Sequence, residues 1–114
     1  IAALPDFDIV LLGMGADGHI ASLFPHSEGL VQAMDPNAPA PLGRIVPDPL
    51  PPDAPFVRLT MTLSRLIRAR RILLLISGAD KVKLAQEACT PGDLLDPPVR
   101  GLFCAAHVEV HWSA

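Results

Sequence analysis

Short apolar runs alternate with turn-forming residues along this chain, and these runs predict its strands. Residues 7–12 form an apolar run that ends at Gly13, which is typical of a strand buried on both faces of a parallel sheet. Residues 72–76 are entirely aliphatic and predict a second buried strand. Residues 56–61 and 108–112 alternate apolar and polar positions more loosely, so they predict two further strands, the last of them at a sheet edge.

Helical signals fall between and around these strands. The predicted segments are a helical turn at residues 19–24, a helix over residues 63–70, another from Asp80 to about residue 88, and a short helix at residues 98–103. Thr62 or Ser64 resembles a cap for the helix over residues 63–70, and Asp80 resembles a cap for the next one. The alternation of strands and helices predicts an α/β fold with a mostly parallel, Rossmann-like sheet flanked by helices.

Proline dominates residues 35–55, which we interpret as an ordered surface loop within a single domain. Residues 44–46 are the one short strand candidate inside it. The flanking segments are too short to be separate domains, and a length of 114 residues favours one domain.

Composition narrows the classes of partner. The formal net charge is −3, which gives no general reason to expect nucleic acid or an anionic membrane as partner. No apolar run approaches the ~18 residues that a membrane span needs, and the first residues do not resemble a signal peptide. Cys89 and Cys104 lack metal-ligand spacing, and we interpret them as buried or half-buried thiols of a reducing, cytoplasmic compartment.

Gly13, Gly15 and Gly18 match the G-x-G-x-x-G spacing of a dinucleotide-binding turn. Two features argue against a dinucleotide. Asp17 places a negative charge where a pyrophosphate would approach, and Pro25 prevents the long helix whose N-terminus would hold the phosphates. The loop still follows a predicted parallel strand at its carboxyl end, where open α/β sheets place their ligands.

Asp17 and His19 are the candidate chemical groups of this loop. Gly18 separates them, and glycine readily adopts the positive φ that would turn both side chains toward one cleft. An imidazole can accept a proton from water, and a carboxylate can orient it and stabilise its charged form. An isolated Asp-Gly-His is more often a plain turn with an exposed histidine, so the hydrolytic interpretation depends on a longer match.

That longer match is present in three blocks. They are D-I-V-L-L-G-M-G-A-D-G-H at residues 8–19 with A-S-L-F-P at residues 21–25, R-L-T-M-T at residues 58–62, and L-I-S-G-A-D-K at residues 75–81. In order and rough spacing they resemble the conserved blocks of the 6-phosphogluconolactonase family, which is related to glucosamine-6-phosphate isomerase/deaminase. The resemblance covers the whole chain, residues 1–114, but only the C-terminal half of the family's single larger domain.

The resemblance implies hydrolysis of 6-phospho-D-glucono-1,5-lactone in the oxidative pentose phosphate pathway, which is a cytoplasmic pathway of sugar-phosphate metabolism. It implies a small phosphosugar lactone as partner and neither a metal nor an organic cofactor. Ile20 departs from the Thr that is common in lactonases and matches the related deaminases, whereas residues 22–25 follow the lactonase form. A deaminase-type isomerisation of amino-sugar phosphates and a non-catalytic sugar-phosphate-binding fragment stay open as alternatives. The sequence leaves the oligomeric state open.

The resemblance to the 6-phosphogluconolactonase family implies a role for each candidate site residue. His19 is the candidate general base, and Asp17 would orient His19 or a substrate hydroxyl. Arg58 could bind the phosphate or stabilise an oxyanion, and Lys81 could bind phosphate at a helix N-terminus. The residues expected to shape the loop for ligand approach are Gly13, Gly15 and Gly18. The basic side chains of residues 65–71 are interpreted as a solvated helix face.

Overall fold

A computed structural model describes residues 4–47 and 56–113 of the chain. The predicted strands are present, whereas a short helix at residues 30–33 was not predicted from the sequence. The elements are β1 (Ile9–Leu12), α1 (Leu30–Ala33), β2 (Leu42–Ile45), β3 (Arg58–Met61), α2 (Leu63–Leu66), β4 (Arg71–Ser77), α3 (Ala79–Ala88), α4 (Val99–Ala105) and β5 (Glu109–Ser113). No helix in these two ranges is long and apolar enough to cross a membrane.

The central sheet has the strand order β1-β4-β5, and both pairings are parallel. Leu12 is paired with Leu74, and Ile76 is paired with Trp112. This arrangement confirms the predicted α/β class with a parallel sheet flanked by helices. Since β4 has apolar residues at nearly every position, it takes the central place among the described strands.

β2 and β3 form a separate antiparallel pair, in which Gly43 is opposite Thr60. The strands expected near residues 44–46 and 56–61 therefore exist, with shifted bounds. Neither joins the parallel sheet, because residues 42–45 offer β3 a partner of its own. The core gathers side chains from nearly every element: Leu12, Met14, Ile20, Leu23, Leu30, Ile45, Leu63, Leu66, Ile72, Leu74, Val99 and Leu102 are all buried.

The two faces of the parallel sheet differ in burial. On β4, Ile72, Leu74 and Ile76 are buried, whereas the alternate positions are half-buried or exposed. On the open face, Leu11 is 62% exposed and Leu75 is 48% exposed. All-parallel sheets normally have both faces covered. The described residues therefore cover one face of this sheet and leave apolar side chains uncovered on the other.

The helical turn predicted at residues 19–24 is wrong. Ile20 and Leu23 form a short antiparallel bridge, and the amide of Leu23 donates to the carbonyl of Ile20 at 2.9 Å. Ala21 adopts a φ of 48° inside this tight turn. A tight turn forms here instead of a helix because it directs the side chains of both Ile20 and Leu23, each fully buried, into the core.

Two predictions about helix ends also need correction. Asp80 does not cap α3, because Gly78 takes the N-cap position with a φ of 94° and Asp80 lies in the first turn. α2 ends at Leu66, so Arg70 lies outside it and α2 is shorter than the predicted helix over residues 63–70. Thr62 occupies the predicted cap position of α2, although its side chain makes no capping hydrogen bond.

Two surface expectations are wrong as well. Arg65 is buried, with Nη2 donating to the carbonyl of Pro5 at 2.9 Å and its guanidinium carbon 4.4 Å from the centroid of the Phe7 ring. Arg65 thus anchors the N-terminal segment instead of belonging to a solvated face. Cys89 and Cys104 are free and exposed, contrary to the expectation that they are buried or half-buried.

Candidate active-site loop

The loop at residues 13–19 starts where β1 ends. β1 is paired with β4 through Leu12 and Leu74, and β4 continues for three more residues to Ser77. The loop therefore lies at the carboxyl edge of the parallel sheet, beside the end of β4. This edge is the position at which open α/β sheets place their ligands.

Backbone hydrogen bonds close the loop on itself. The amide of Gly15 donates to the carbonyl of His19 at 3.0 Å, and the amide of Gly18 donates to the carbonyl of Gly15 at 3.0 Å. Gly18 has a φ of 81°, as expected for the glycine between the two candidate groups. Its carbonyl accepts a hydrogen bond from the amide of Val99 at 3.1 Å, which fixes the loop to the start of α4.

Asp17 and His19 are in direct contact. Oδ1 of Asp17 lies 2.5 Å from Nδ1 of His19 and also accepts a hydrogen bond from the His19 amide at 3.0 Å. An ionised carboxylate can only accept hydrogen bonds, so Nδ1 carries the proton of a neutral imidazole. The other ring nitrogen, Nε2, is then the basic one. The His19 side chain is 28% exposed, so a small molecule can reach it.

Phe24 joins His19 to Arg58. Its ring centroid lies 4.3 Å from that of the imidazole, at an interplanar angle of 33°. The guanidinium carbon of Arg58 lies 5.3 Å from the same Phe24 centroid, within the range of a cation–π contact. Arg58 and His19 were predicted as site residues from the sequence, whereas Phe24 was not. The signal was available, because Phe24 belongs to the matched segment at residues 21–25.

Arg58 is held in place by β3 and by a contact between β3 and the turn at residues 20–23. Thr60 lies two positions after Arg58, so the two side chains share a face of the strand. The Thr60 hydroxyl is buried and accepts a hydrogen bond from the amide of Ser22 at 3.2 Å. This bond fixes β3 against the turn that precedes Phe24, which brings Arg58 and His19 to the same region.

Two further predicted site residues, Lys81 and Gly13, have different surroundings. Lys81 is in the first turn of α3, a ten-residue helix that follows the carboxyl end of β4. Leu84, three residues further and on the same helix face, lies 3.5 Å from the position that a Cβ on Gly18 would take. Gly13 lies in open space, since among the described residues no heavy atom comes within 4 Å of where its Cβ would be.

The site has no metal-ligand cluster in the described part of the chain. Residues 4–47 and 56–113 contain no group of three or more His, Cys, Asp or Glu side chains placed to hold a metal ion. The described side chains bring together a partly exposed imidazole, a carboxylate bound to it and an arginine that contacts the same Phe24 ring. That combination suits proton transfer to and from water beside an anionic substrate.

The fold and this loop define an α/β protein with a base-and-carboxylate site at the carboxyl edge of its parallel sheet. Residues 1–112 match the family model described as glucosamine-6-phosphate isomerases/6-phosphogluconolactonase. The chain therefore belongs to the glucosamine-6-phosphate isomerase/6-phosphogluconolactonase family, which confirms the resemblance found in its sequence.

Curated relatives agree with this assignment. The chain is 38% identical over 112 residues to a 6-phosphogluconolactonase of Pseudomonas putida, covering 98% of the chain and 44% of that protein. It is 41% identical over 108 residues to one of Mesorhizobium japonicum, covering 93% of the chain and 43% of that protein. The chain thus spans less than half the length of these relatives.

Solved structures agree in fold. A 6-phosphogluconolactonase from Shewanella baltica superposes with a TM-score of 0.83 at 33% identity, covering 98% of this chain and 47% of that one. The 6-phosphogluconolactonase of Trypanosoma brucei superposes with a TM-score of 0.73 at 29% identity, covering 96% of this chain and 40% of that one. The shared architecture therefore extends over nearly all of the present chain.

Proposed function

We propose that the protein to which these residues belong hydrolyses 6-phospho-D-glucono-1,5-lactone to 6-phosphogluconate, with His19 as general base. The observation that carries the proposal is the contact between Asp17 and Nδ1 of His19 at 2.5 Å. It leaves Nε2 as the basic nitrogen of a partly exposed imidazole. The names of the relatives supply the substrate, and the geometry of the loop supplies a group suited to the reaction.

In the proposed mechanism, Nε2 of His19 takes a proton from a water molecule as its oxygen attacks the lactone carbonyl carbon. The carbonyl becomes a tetrahedral oxyanion, and Asp17 stabilises the imidazolium that forms. The bond between this carbon and the ring oxygen then breaks, and the imidazolium returns the proton to the leaving oxygen. The ring opens to the free acid, and His19 is restored. A positioned base of this kind accelerates such a step by ~10²–10⁴-fold.

Arg58 and Lys81 are the proposed cationic contacts of the substrate. Arg58 contacts the same Phe24 ring as His19, which supports either a bidentate contact with the phosphate or a contact with the oxyanion. Lys81 adds its charge to the N-terminal end of α3, where helix amides already favour an anion. Gly13, Gly15 and Gly18 give the ligand access to the loop backbone.

The family also includes amino-sugar phosphate isomerases, so a deaminase-type reaction is the competing function. Two observations favour the lactonase. The curated relatives at 38% and 41% identity are both 6-phosphogluconolactonases. Residues 22–25 read Ser-Leu-Phe-Pro, which resembles the lactonase form of the segment that follows the histidine. Release of ammonia from glucosamine 6-phosphate would identify the competing activity.

The described residues are proposed to be the C-terminal part of one larger cytoplasmic domain. The uncovered apolar face of the parallel sheet supports this, because Leu11 and Leu75 would be covered in a complete α/β domain. The relatives are more than twice as long as the aligned segment, and that extra length is sufficient for covering helices. Additional substrate contacts are expected from those covering segments.

The test is hydrolysis of freshly generated 6-phosphogluconolactone by the full polypeptide that the gene encodes. The spontaneous opening of this lactone is subtracted. His19→Gln is expected to lower kcat by ~10²-fold or more in a folded protein. His107→Gln is the matched control, since His107 is exposed and outside the loop. Catalysis that is indifferent to His19→Gln would remove the mechanism, and absence of catalysis in the folded wild type would remove the function.

A further inference from the structure

The backbone on both sides of Phe24 is fixed by local contacts. The segment before it is fixed by Ile20 and Leu23, whose side chains are fully buried and whose backbones form the tight turn. Its own carbonyl accepts hydrogen bonds from the Ser27 hydroxyl at 2.6 Å and from the Ser27 amide at 3.4 Å. The Phe24 ring therefore leaves a backbone that is anchored on both sides.

The ring contacts two polar groups of the candidate site. The imidazole of His19 lies 4.3 Å away between centroids, and the guanidinium carbon of Arg58 lies 5.3 Å from the Phe24 centroid. The imidazole and the guanidinium are consequently no farther apart than the sum of these two distances. The Phe24 ring is thus a side chain that contacts both groups.

The contacts with Asp17 and Phe24 restrict different movements of the His19 imidazole. The hydrogen bond to Asp17 fixes the Nδ1 end of the imidazole, but rotation of the ring plane about that bond is still possible. The flat face of Phe24 restricts that rotation, because aromatic pairs prefer a limited set of relative orientations. The two contacts together determine where Nε2 points, which is the atom that must face the attacking water.

We propose that Phe24 is a positioning residue that sets the plane of the His19 imidazole and the place of the Arg58 guanidinium relative to it. The inference deepens the proposed lactonase function and rests on it. Phe24 itself exchanges no proton and forms no bond with the substrate. Its effect is on the alignment of the base and the cation, and misalignment of about 1 Å at a catalytic centre costs roughly 10²-fold in rate.

The first readout is structural and does not depend on activity. In the full polypeptide, the ring current of Phe24 is expected to shift the carbon-bound imidazole protons of His19 upfield, and His19→Gln identifies these signals. Phe24→Leu keeps an apolar side chain and should abolish the shift, whereas Phe24→Tyr should retain it. Phe7→Leu is the matched control, because the ring of Phe7 also packs against an arginine and lies outside the loop. The guanidinium carbon of Arg65 is 4.4 Å from the Phe7 ring centroid.

The second readout is kinetic. Phe24→Leu is expected to lower kcat by roughly 10- to 100-fold, with Phe24→Tyr close to wild type. In a His19→Gln background, the same change should lower kcat by clearly less than it does in the wild type, because the part of its effect that passes through the imidazole is then missing. Should Phe24→Leu fail to fold, Phe24→Met is used in its place.

The outcomes separate this inference from the function on which it rests. Unchanged His19 signals, or unchanged kcat, in folded Phe24→Leu protein would overturn the positioning role while leaving lactone hydrolysis intact. Full additivity with His19→Gln would also overturn it. If the wild type hydrolyses no lactone, the proposed function fails, and the His19 signals alone then decide whether Phe24 orients the imidazole.

Discussion

Gly15 lies against both the backbone carbonyl and the imidazole ring of His19. The amide of Gly15 donates to the carbonyl of His19 at 3.0 Å, and a Cβ on Gly15 would overlap the Cε1 and Nδ1 atoms of the imidazole. The same Cβ would lie 2.9 Å from Oδ1 of Asp17. The imidazole thus occupies the space that a side chain at position 15 would need, which explains why glycine stands there.

Gly15→Ala is therefore expected to displace the imidazole and weaken its contact with Asp17. We expect kcat for lactone hydrolysis to fall by roughly 10²-fold, because the base is no longer aligned. Gly13→Ala is the comparison variant: among the described residues nothing lies within 4 Å of its Cβ position, so it should leave the imidazole in place, and any loss of ligand access should raise KM and not lower kcat. Equal activity of the two variants in a kinetic assay of the full polypeptide would contradict the proposed alignment.

Gly18→Ala is expected to lower the free energy of unfolding more than Gly13→Ala. Gly18 has a φ of 81°, at which an added side chain costs about 1 kcal/mol of backbone strain, and the new Cβ would also overlap the Cβ of Pro97. At Gly13 the φ is not positive, and the described chain leaves open space around the Cβ position. Urea denaturation should therefore show an additional loss of about 2 kcal/mol or more for Gly18→Ala. Equal losses would show that the loop adapts to the new methyl group without cost.

Arg65→Lys is expected to destabilise the protein although it preserves the charge. The buried guanidinium donates to the carbonyl of Pro5 at 2.9 Å and packs on Phe7 at 4.4 Å, which an ammonium group cannot reproduce together. We expect a loss of about 1–3 kcal/mol and faster hydrogen exchange of the amides in residues 6–8. Arg68→Lys is the control, since Arg68 is 59% exposed in its ion pair with Asp6 and should change stability by no more than about 0.5 kcal/mol. A similar effect of both variants would argue against a special role for Arg65.

Leu11→Glu tests whether the open face of the parallel sheet is covered in the full polypeptide. Leu11 is 62% exposed among the described residues, so an acid would be tolerated there if nothing else packed on it. If helices from the rest of the domain cover it, the acid is buried, and the free energy of unfolding should fall by about 2 kcal/mol or more. Leu94→Glu provides the control, since Leu94 is 47% exposed and lies between α3 and α4, away from the sheet. Thermal denaturation that shows no difference between these two variants would contradict the larger-domain proposal.

The sequence alone was enough to predict several local features of this protein. Apolar runs at residues 7–12 and 72–76 predicted β1 and β4, because a strand buried on both faces must be apolar at consecutive positions. The side chains of Asp17 and His19 were predicted to turn toward one cleft, because Gly18 between them can adopt the positive φ that it has in the structure. These features depend on neighbouring residues, so their signals are contained in short stretches of sequence.

The tertiary structure decided what distant segments do to one another. Arg65 is buried because it meets Pro5, 60 positions earlier, and no local pattern distinguishes it from the exposed arginines nearby. Phe24 and Arg58 meet because the amide of Ser22 binds Thr60, 38 positions later, and β3 pairs with β2 instead of the parallel sheet. Long-range pairing of this kind depends on the packing of the whole chain, so periodicity alone did not place the ring of Phe24 beside the imidazole of His19.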